Sequence, residues 1–420
     1  MRSVRSLLVP ILAVFTALVL GGAVMWATTG DLMKVIGPDG AYAGLLRGAF
    51  GSPRAIATTL IISTPYIFAG LAVALAFKCG LFNIGAEGQL ALGAVSAAFV
   101  GFSLAGLPFP VHMLLTIGAG LFAGLVWGAI PGALKAFRGA HEVIITIMMN
   151  YIGLLLVQYL LGGPLKDRSP TNPGLARTPL IAPAAELPTL FPGTPWEMHW
   201  GVALAVVAAV LVLAFLTRTT WGFEMRTVGA NPHAARYAGI SVAKNTVLAM
   251  GLSGMLAGAA GAVEVAGLTH RHELGFGAGY GFDSIAIALL GRTHPLGVVA
   301  AALLFGALRS GATAMQFNTQ VSGNIISVVQ GLVLLFVAAD MIIIWLYRLK
   351  VRPEGAGLAL SKAAVLAETH QAEAAVSDEA LETARFTETY PVAVPAAGGF
   401  ARQEVDAVEQ EPQEHREEAK

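Results

Sequence analysis

Ten apolar stretches, most of them close to 20 residues long, follow one another through the first 346 residues of this chain. That repetition leaves few architectures open. A helix needs about 20 residues to cross the hydrocarbon core of a bilayer, and in lipid each backbone N–H and C=O must find its partner within the spanning structure. The stretches fall at 7–28, 55–77, 83–105, 111–134, 142–161, 199–216, 246–268, 283–291, 295–316 and 322–346. The eighth is too short for an ordinary tilted helix, so a broken or partial crossing is expected there. Only 12% of residues are charged, whereas soluble domains carry about 25%. Mean hydropathy is +0.69. The expected fold class is all-α: a polytopic integral membrane protein of about ten transmembrane helices, one of them short or broken.

The formal net charge of zero conceals a split, because residues from Val351 onward carry 6 Lys+Arg against 14 Asp+Glu. Residues 1–350 therefore read as a positively charged membrane domain and 351–420 as an acidic tail. The tail is rich in Ala, Glu, Gln and Pro with few large apolar residues. It is expected to be largely disordered, with room for a short helix around 359–385. Arg2 and Arg5 precede the first stretch, which is long enough to span and lacks an A-x-A-like cleavage site; it reads as the first span. With the N-terminus inside, the inner segments hold 13 Lys and Arg and the outer ones seven. Positive residues favour the cytoplasmic side, so both termini are expected there. The Pro-rich loop 162–198 then lies outside as irregular structure. One cysteine, Cys79, excludes an internal disulfide and a Cys-based metal centre.

Two glycine-rich segments break the hydrophobic pattern in similar ways. The first runs from Lys78 to Gln89 and the second from Gly275 through Asp283. Discontinuous helices in two halves of a transporter commonly frame a site near mid-membrane. Charged residues within spans cost about 2.5–3.5 kcal/mol each on insertion scales, so each calls for a reason. Asn83, Glu87 and Gln89 open the third span, where they either meet a polar solute or satisfy the backbone at a helix start. Glu142, Thr146 and Asn150 share one face of the fifth span at i, i+4 and i+8. That stripe suits a pathway lining or hydrogen bonds between helices. Glu142 reads better as an interfacial cap or inner gate. Glu264 and Asp283 could meet solute entering from outside or pair with Arg271 or Arg309. Gly251, Gly254, Gly258 and Gly261 make a small-residue seam along the seventh span, fit for close helix approach.

The polar interruption Thr217–Asn245 carries Arg218, Arg226, Arg236 and Lys244 with only Glu224 to oppose them. A break at Gly229, Asn231 and Pro232 precedes the helix-compatible run HAARYA and the stop at Gly239. A short helix on the inner face is where a soluble partner can push on the spans. There is no G-x-x-x-x-G-K-[ST], so the chain has no P-loop of its own. The glycines of GFGAGYG lack a βαβ setting, and no His/Glu spacing suggests a metal. Neither a cofactor nor a nucleic-acid partner is expected.

Three stretches together resemble one family: LAFKCGLFNIGAEGQLALGA at 75–94, HEVIITIMMNYIGLLLVQYLLGGPLKD at 141–167, and RTVGANPHAARYAGIS at 226–241. They are similar to bacterial ABC-transporter permeases of the branched-chain amino acid/simple-sugar superfamily, nearest to its nucleoside-type members, and the resemblance covers roughly residues 5–345. It implies cytoplasmic ABC ATPase subunits, a second related permease and an extracytoplasmic substrate-binding lipoprotein as partners, in a bacterial inner membrane. It implies that Arg226, Gly229, Ala230, Asn231, Ala234, Ala235, Tyr237, Ala238, Gly239 and Ile240 belong to the helix that docks on the ATPase. Asn83, Gly85, Glu87, Gly88 and Gln89 match the nucleoside-type motif, as do Glu142, Thr146 and Asn150. The expected function is ATP-driven import of nucleosides or related small polar solutes, without covalent chemistry. Asn83, Glu87, Gln89, Thr146, Asn150, Glu264 and Asp283 are the candidate path residues, and Phe82, Tyr151 and Phe282 are candidates for stacking on a base. A sugar or amino-acid importer is the alternative. An ion-coupled secondary transporter would need Glu87, Glu264 or Asp283 as its ion site.

Overall fold

The computed structural model describes residues 2–348 apart from 170–173, 195, 197, 276–278 and 320. The acidic tail and its expected helix lie outside the described residues. In chain order the helices are α1 (Arg2–Thr29), α2 (Met33–Ile36), α3 (Ala41–Phe50), α4 (Pro53–Lys78), α5 (Ala86–Ser103), α6 (Val111–Arg138) and α7 (Glu142–Gly162). They continue as α8 (Gly201–Arg218), α9 (Thr220–Ala230), α10 (Pro232–Tyr237), α11 (Val242–Glu264), α12 (Tyr280–Leu290), α13 (Pro295–Thr319), α14 (Asn324–Ala338) and α15 (Asp340–Leu346). A wide π-helical turn, Val265–Thr269, extends α11. Among the described residues the only β pairings are two isolated bridges, Arg177 to Glu273 and Thr189 to His199.

All ten apolar stretches are helical. Among the described residues seven helices are long and apolar enough to cross a membrane. The others depart from a plain crossing in ways the sequence hints at. The third stretch becomes helical only at Ala86, and the eighth is the 11-residue α12. The tenth divides at Ala339 into α14 and α15, beside Asp340, the one charged residue of that stretch. The short helices α2 and α3, between the first two spans, have too little apolar length to stand out.

Helix boundaries follow local chemistry. Ser52 Oγ accepts from Ala55 N at 3.1 Å and Pro53 occupies the first turn of α4, a pairing that satisfies one orphan N–H and needs no other at that position. Gly139 closes α6 with φ of +65°, which a residue with a Cβ adopts at a cost.

The centre of the bundle is α11, packed on α6, α5 and α4; α13 lies on α4 and α3, and α1 on α14. Helix faces here meet backbone to backbone. A Cβ on Gly124 of α6 would collide with the Gly254 carbonyl oxygen, and one on Gly93 of α5 with the Gly258 backbone. Gly261 meets the Leu90 carbonyl of α5 in the same way, whereas Gly251 is in ordinary contact, its nearest atoms 3.7 Å away. The expected seam is therefore three glycines deep. Small residues permit this approach, and dispersion and weak hydrogen bonds accumulate where no hydrophobic effect separates helices.

Candidate functional site

Each break begins a helix deep in the protein, and the two helix starts meet. After Lys78 the chain turns at Gly80 (φ +74°), runs without regular structure through 81–85, and starts α5. Its buried amides are fully used. Asn83 Nδ2 donates to Ser253 Oγ at 2.7 Å and to Gln89 Oε1 at 2.8 Å, while Asn83 Oδ1 accepts from Gly85 N and from Gln89 Nε2. Ser253 Oγ passes its proton's bond to the Ala72 carbonyl at 2.6 Å, tying α4, α11 and the break together. Asn150 of α7 acts as a cap supplied from a neighbouring helix: its Oδ1 accepts from Gly88 N at 2.9 Å and its Nδ2 donates to the Ile84 carbonyl at 2.7 Å. Thr146 Oγ1 bonds back to the Glu142 carbonyl at 2.7 Å. Asn83, Gln89, Thr146 and Asn150 are all buried and spend their polar atoms inside the protein. Glu142 pairs with Lys135 at 2.8 Å, joining the ends of α6 and α7.

The second break is closed by the first. Glu87 Oε1 accepts from Gly279 N at 2.8 Å and Oε2 from Gly281 N at 2.7 Å. A carboxylate so placed satisfies orphan N–H groups of α12 and lies at the positive end of its dipole. Gly281 is packed against the backbone of Glu87, so any Cβ there would collide. One turn into α12, Asp283 Oδ2 accepts from the Tyr66 hydroxyl at 2.8 Å and lies 3.8 Å from Arg309 Nη1. Arg309 Nη1 also donates to the Tyr66 oxygen at 2.9 Å, and its guanidinium stacks 4.7 Å from the Tyr280 ring. Tyr66 and Tyr280 meet edge to face at 4.7 Å. Glu264, in the last turn of α11, is buried within the field of Arg309. The expected alternative of an Asp283–Arg309 pair is thus realised, and Arg271 is not its partner. Tyr66 and Tyr280 escape sequence reading, since a tyrosine in an apolar run gives no sign of its neighbours.

Arg309 stands midway along α13 with 41% of its side chain exposed, and Phe282 is exposed beside Asp283. A cation at that depth facing lipid would cost about 2.5–3.5 kcal/mol or more, so such residues face cavities, water or protein. Phe82 and Tyr151 are exposed as well.

The polar interruption forms two helices. Thr219 caps α9 through Gly222 N at 3.0 Å, and Asn231 caps α10 by accepting from His233 N and Ala234 N at 2.9 and 3.1 Å. Gly239 ends α10 at φ +79°. The sequence marks only the second of these helices; residues 220–230 form the further helix α9. Glu224 accepts from Asn245 Nδ2 at 2.9 Å, fastening α9 to α11. Of the ten residues that the resemblance assigns to docking, Arg226, Ala230, Asn231, Ala234, Tyr237, Ala238 and Gly239 are exposed, Tyr237 at 98%; Ala235 is buried, and Gly229 and Ile240 are half-buried. Gly229 sits on the Lys78 and Gly80 backbone, where a Cβ would strike the Lys78 carbonyl. The end of α9, from which α10 follows, is therefore in backbone contact with the first break.

At the opposite end of the bundle the loop after α7 folds over the end of α11. Thr178 N and Ile181 N donate to the His272 and His270 carbonyls, both at 2.8 Å. Burial lowers His199 and His272 from 6.5 to about 4, His270 adding to the effect on His199. Among the described residues no three His, Cys, Asp or Glu side chains gather as metal ligands.

Membrane-crossing helices, two opposed helix starts sharing one carboxylate and a half-exposed ion pair in mid-span define a membrane permease. The chain belongs to the family described as branched-chain amino acid transport system / permease component, whose model matches residues 55–338. It is thus a transport component of the ABC type and not an enzyme. It is 40% identical to the guanosine ABC transporter permease of Bacillus subtilis, over 81% of this chain and 95% of that one. It is 34% identical to a nucleoside ABC transporter permease of Lactococcus lactis, over 81% of this chain and 92% of the relative. A glucose ABC transporter permease of Haloferax volcanii is 35% identical, over 78% and 86% of the two chains. No solved structure matches.

Proposed function

We propose that this chain is the path-forming subunit of an ATP-driven importer for nucleosides or related small polar ring-bearing solutes. The observation that carries the reading is the Arg309–Asp283 pair, half-exposed midway through the bundle beside Phe282. It calls for a water-filled path or a protein neighbour at that depth. The solute passes Glu87, Glu264 and Asp283, with Arg309 balancing them, while Asn83, Gln89, Thr146 and Asn150 hold the hinge from which α5 starts. Two of the three relatives carry guanosine or nucleoside in their names, which supports this cargo.

Both termini and the α9–α10 surface lie on the cytoplasmic side of a bacterial inner membrane, and the loop 162–198 lies outside. A substrate-binding lipoprotein delivers solute there, a second related permease completes the path, and two ABC ATPase subunits grip α10. When they close, α10 presses on the Gly229–Gly80 contact, and the first break carries the movement to Glu87 and α12. Such switching between discrete packings is how small movements open and close a path.

Co-purification and reconstitution test the proposal. With ATPase, partner permease and receptor present, ATP-dependent guanosine uptake is expected; uptake that persists without any ATPase would overturn it. The glucose relative makes a sugar importer the second reading. Uptake of labelled guanosine and of labelled glucose, measured side by side, separates the two, as a sugar path carries the glucose and not the guanosine.

A further inference from the structure

A cavity of about 220 Å³ lies beside the Glu87 clasp and belongs to none of the groups described so far. Its walls are Ala91 of α5, Tyr151, Leu155 and Gln158 of α7, and the segment His272–Gly275. Ala91 is one helical turn beyond Glu87, so the clasp lies at its foot. On the other side, the cavity meets the segment whose 272 and 274 backbone groups bond to Thr178 and Ala176 of the folded-over loop. It therefore lies between α5, α7 and the segment that the folded-over loop holds.

We propose that this cavity is a waiting site for one uncharged, ring-bearing solute rich in hydroxyls. The assignment rests on the importer reading above, and it adds a place and a set of contacts. Leu154, Leu155 and Ala91 offer flat apolar walls, and Tyr151, 63% exposed, presents a ring face. The Gln158 amide supplies a donor and an acceptor together, which suits a base edge or a sugar hydroxyl. Glu273 adds an exposed acceptor for hydroxyls at the rim. No Lys or Arg is among the described lining residues, and burial keeps His272 neutral at physiological pH. A phosphate beside Glu273 would be repelled, which disfavours nucleotides. The volume is below the usual range of about 300–1,000 Å³ for ligand pockets, in keeping with a single small solute held briefly.

The native chain has one cysteine, Cys79, and it is buried. A Leu154→Cys variant, which keeps both polar contacts, therefore gives this chain its one accessible thiol within the reconstituted transporter. Its labelling by a small, membrane-impermeant thiosulfonate is measured with guanosine, guanosine monophosphate, glucose or nothing added. Guanosine is expected to slow labelling about tenfold and guanosine monophosphate to leave it unchanged. In the protein without that cysteine, Tyr151→Ala is expected to weaken guanosine binding about tenfold, and Leu155→Trp, which fills the cavity, to abolish uptake. Protection by glucose alone keeps the waiting site and sinks the nucleoside reading. Unprotected labelling alongside normal guanosine uptake overturns the site and leaves the importer reading intact. Labelling that depends only on the acyl chains of the vesicle lipid means that lipid fills the cavity, which also overturns it.

Discussion

Glu87 and Gly281, 194 residues apart in sequence, are joined by a 2.7 Å hydrogen bond from the glycine N–H to the carboxylate. With the bond from Gly279 N to the other oxygen, that contact makes one side chain of α5 the cap of α12. The start of one interrupted helix therefore depends on the start of the other.

Removing the cap should loosen α12. Glu87→Ala leaves two N–H groups without an acceptor, at a cost of about 1–3 kcal/mol each where they are buried. ATP-driven uptake is expected to fall at least tenfold, with the midpoint of thermal unfolding lowered by several degrees. Glu87→Gln keeps one acceptor and should lie between the two. Wild-type uptake and melting in Glu87→Ala would show that the clasp is incidental.

The Asp283–Arg309 pair should be coupled energetically. Asp283→Asn leaves Arg309 without its counter-charge, and Arg309→Gln leaves the aspartate likewise. Each single variant is expected to destabilise by about 1–3 kcal/mol, and the double variant by less than their sum. A double-mutant cycle on unfolding of the purified permease reads the difference. Strict additivity would mean that the pair is held only by Tyr66.

Docking and transmission should separate on the cytoplasmic face. Tyr237→Ala trims a side chain that is 98% exposed and should weaken assembly with the ATPase without touching the spans. Gly229→Ala should allow assembly yet uncouple it, since its Cβ would push on the Lys78 carbonyl. Pull-down and receptor-stimulated ATP hydrolysis distinguish them: the first variant loses both, the second only stimulation.

Acid should release the loop folded over the end of α11. His199 and His272 are held near 4 when folded and return to about 6.5 when exposed. Unfolding of the loop therefore takes up protons below about pH 6.5. The folded loop has its full stability above that value and loses it as pH falls, by about 2 kcal/mol for each histidine at pH 5. Protection factors over 177–190, which divide out the intrinsic pH dependence of amide exchange, should fall between pH 7 and pH 5. His199→Gln should remove half of that change, and a protection factor independent of pH would contradict it.

Much of this could be read in the chain, because lipid imposes a severe rule. Each crossing must announce itself as a long apolar run, and the short eighth run and the glycines of 78–89 marked the two breaks. Spacing grouped Asn83, Glu87 and Gln89 at the start of the third span without pairing them; Asn83 bonds Gln89 and leaves Glu87 to α12. Spacing left open whether Asn150 faces a path or another helix; the answer depends on which neighbour lies against α7, and that is fixed by packing. Tyr66 and Tyr280 gave no signal: the partners of the Tyr66 hydroxyl, Asp283 and Arg309, lie 217 and 243 residues away. The division of the last stretch at Ala339 leaves one trace in the sequence, Asp340, which the apolar residues on both sides outweigh.

The glycine seam between α6 and α11 has a mechanical consequence. Side chains that interdigitate can change rotamer and let helices slide, but carbonyls resting on α-carbons have no such freedom. Gly124 on Gly254 and Gly93 on Gly258 make α5, α6 and α11 a fixed axle. Whatever turns during a transport cycle must turn about it.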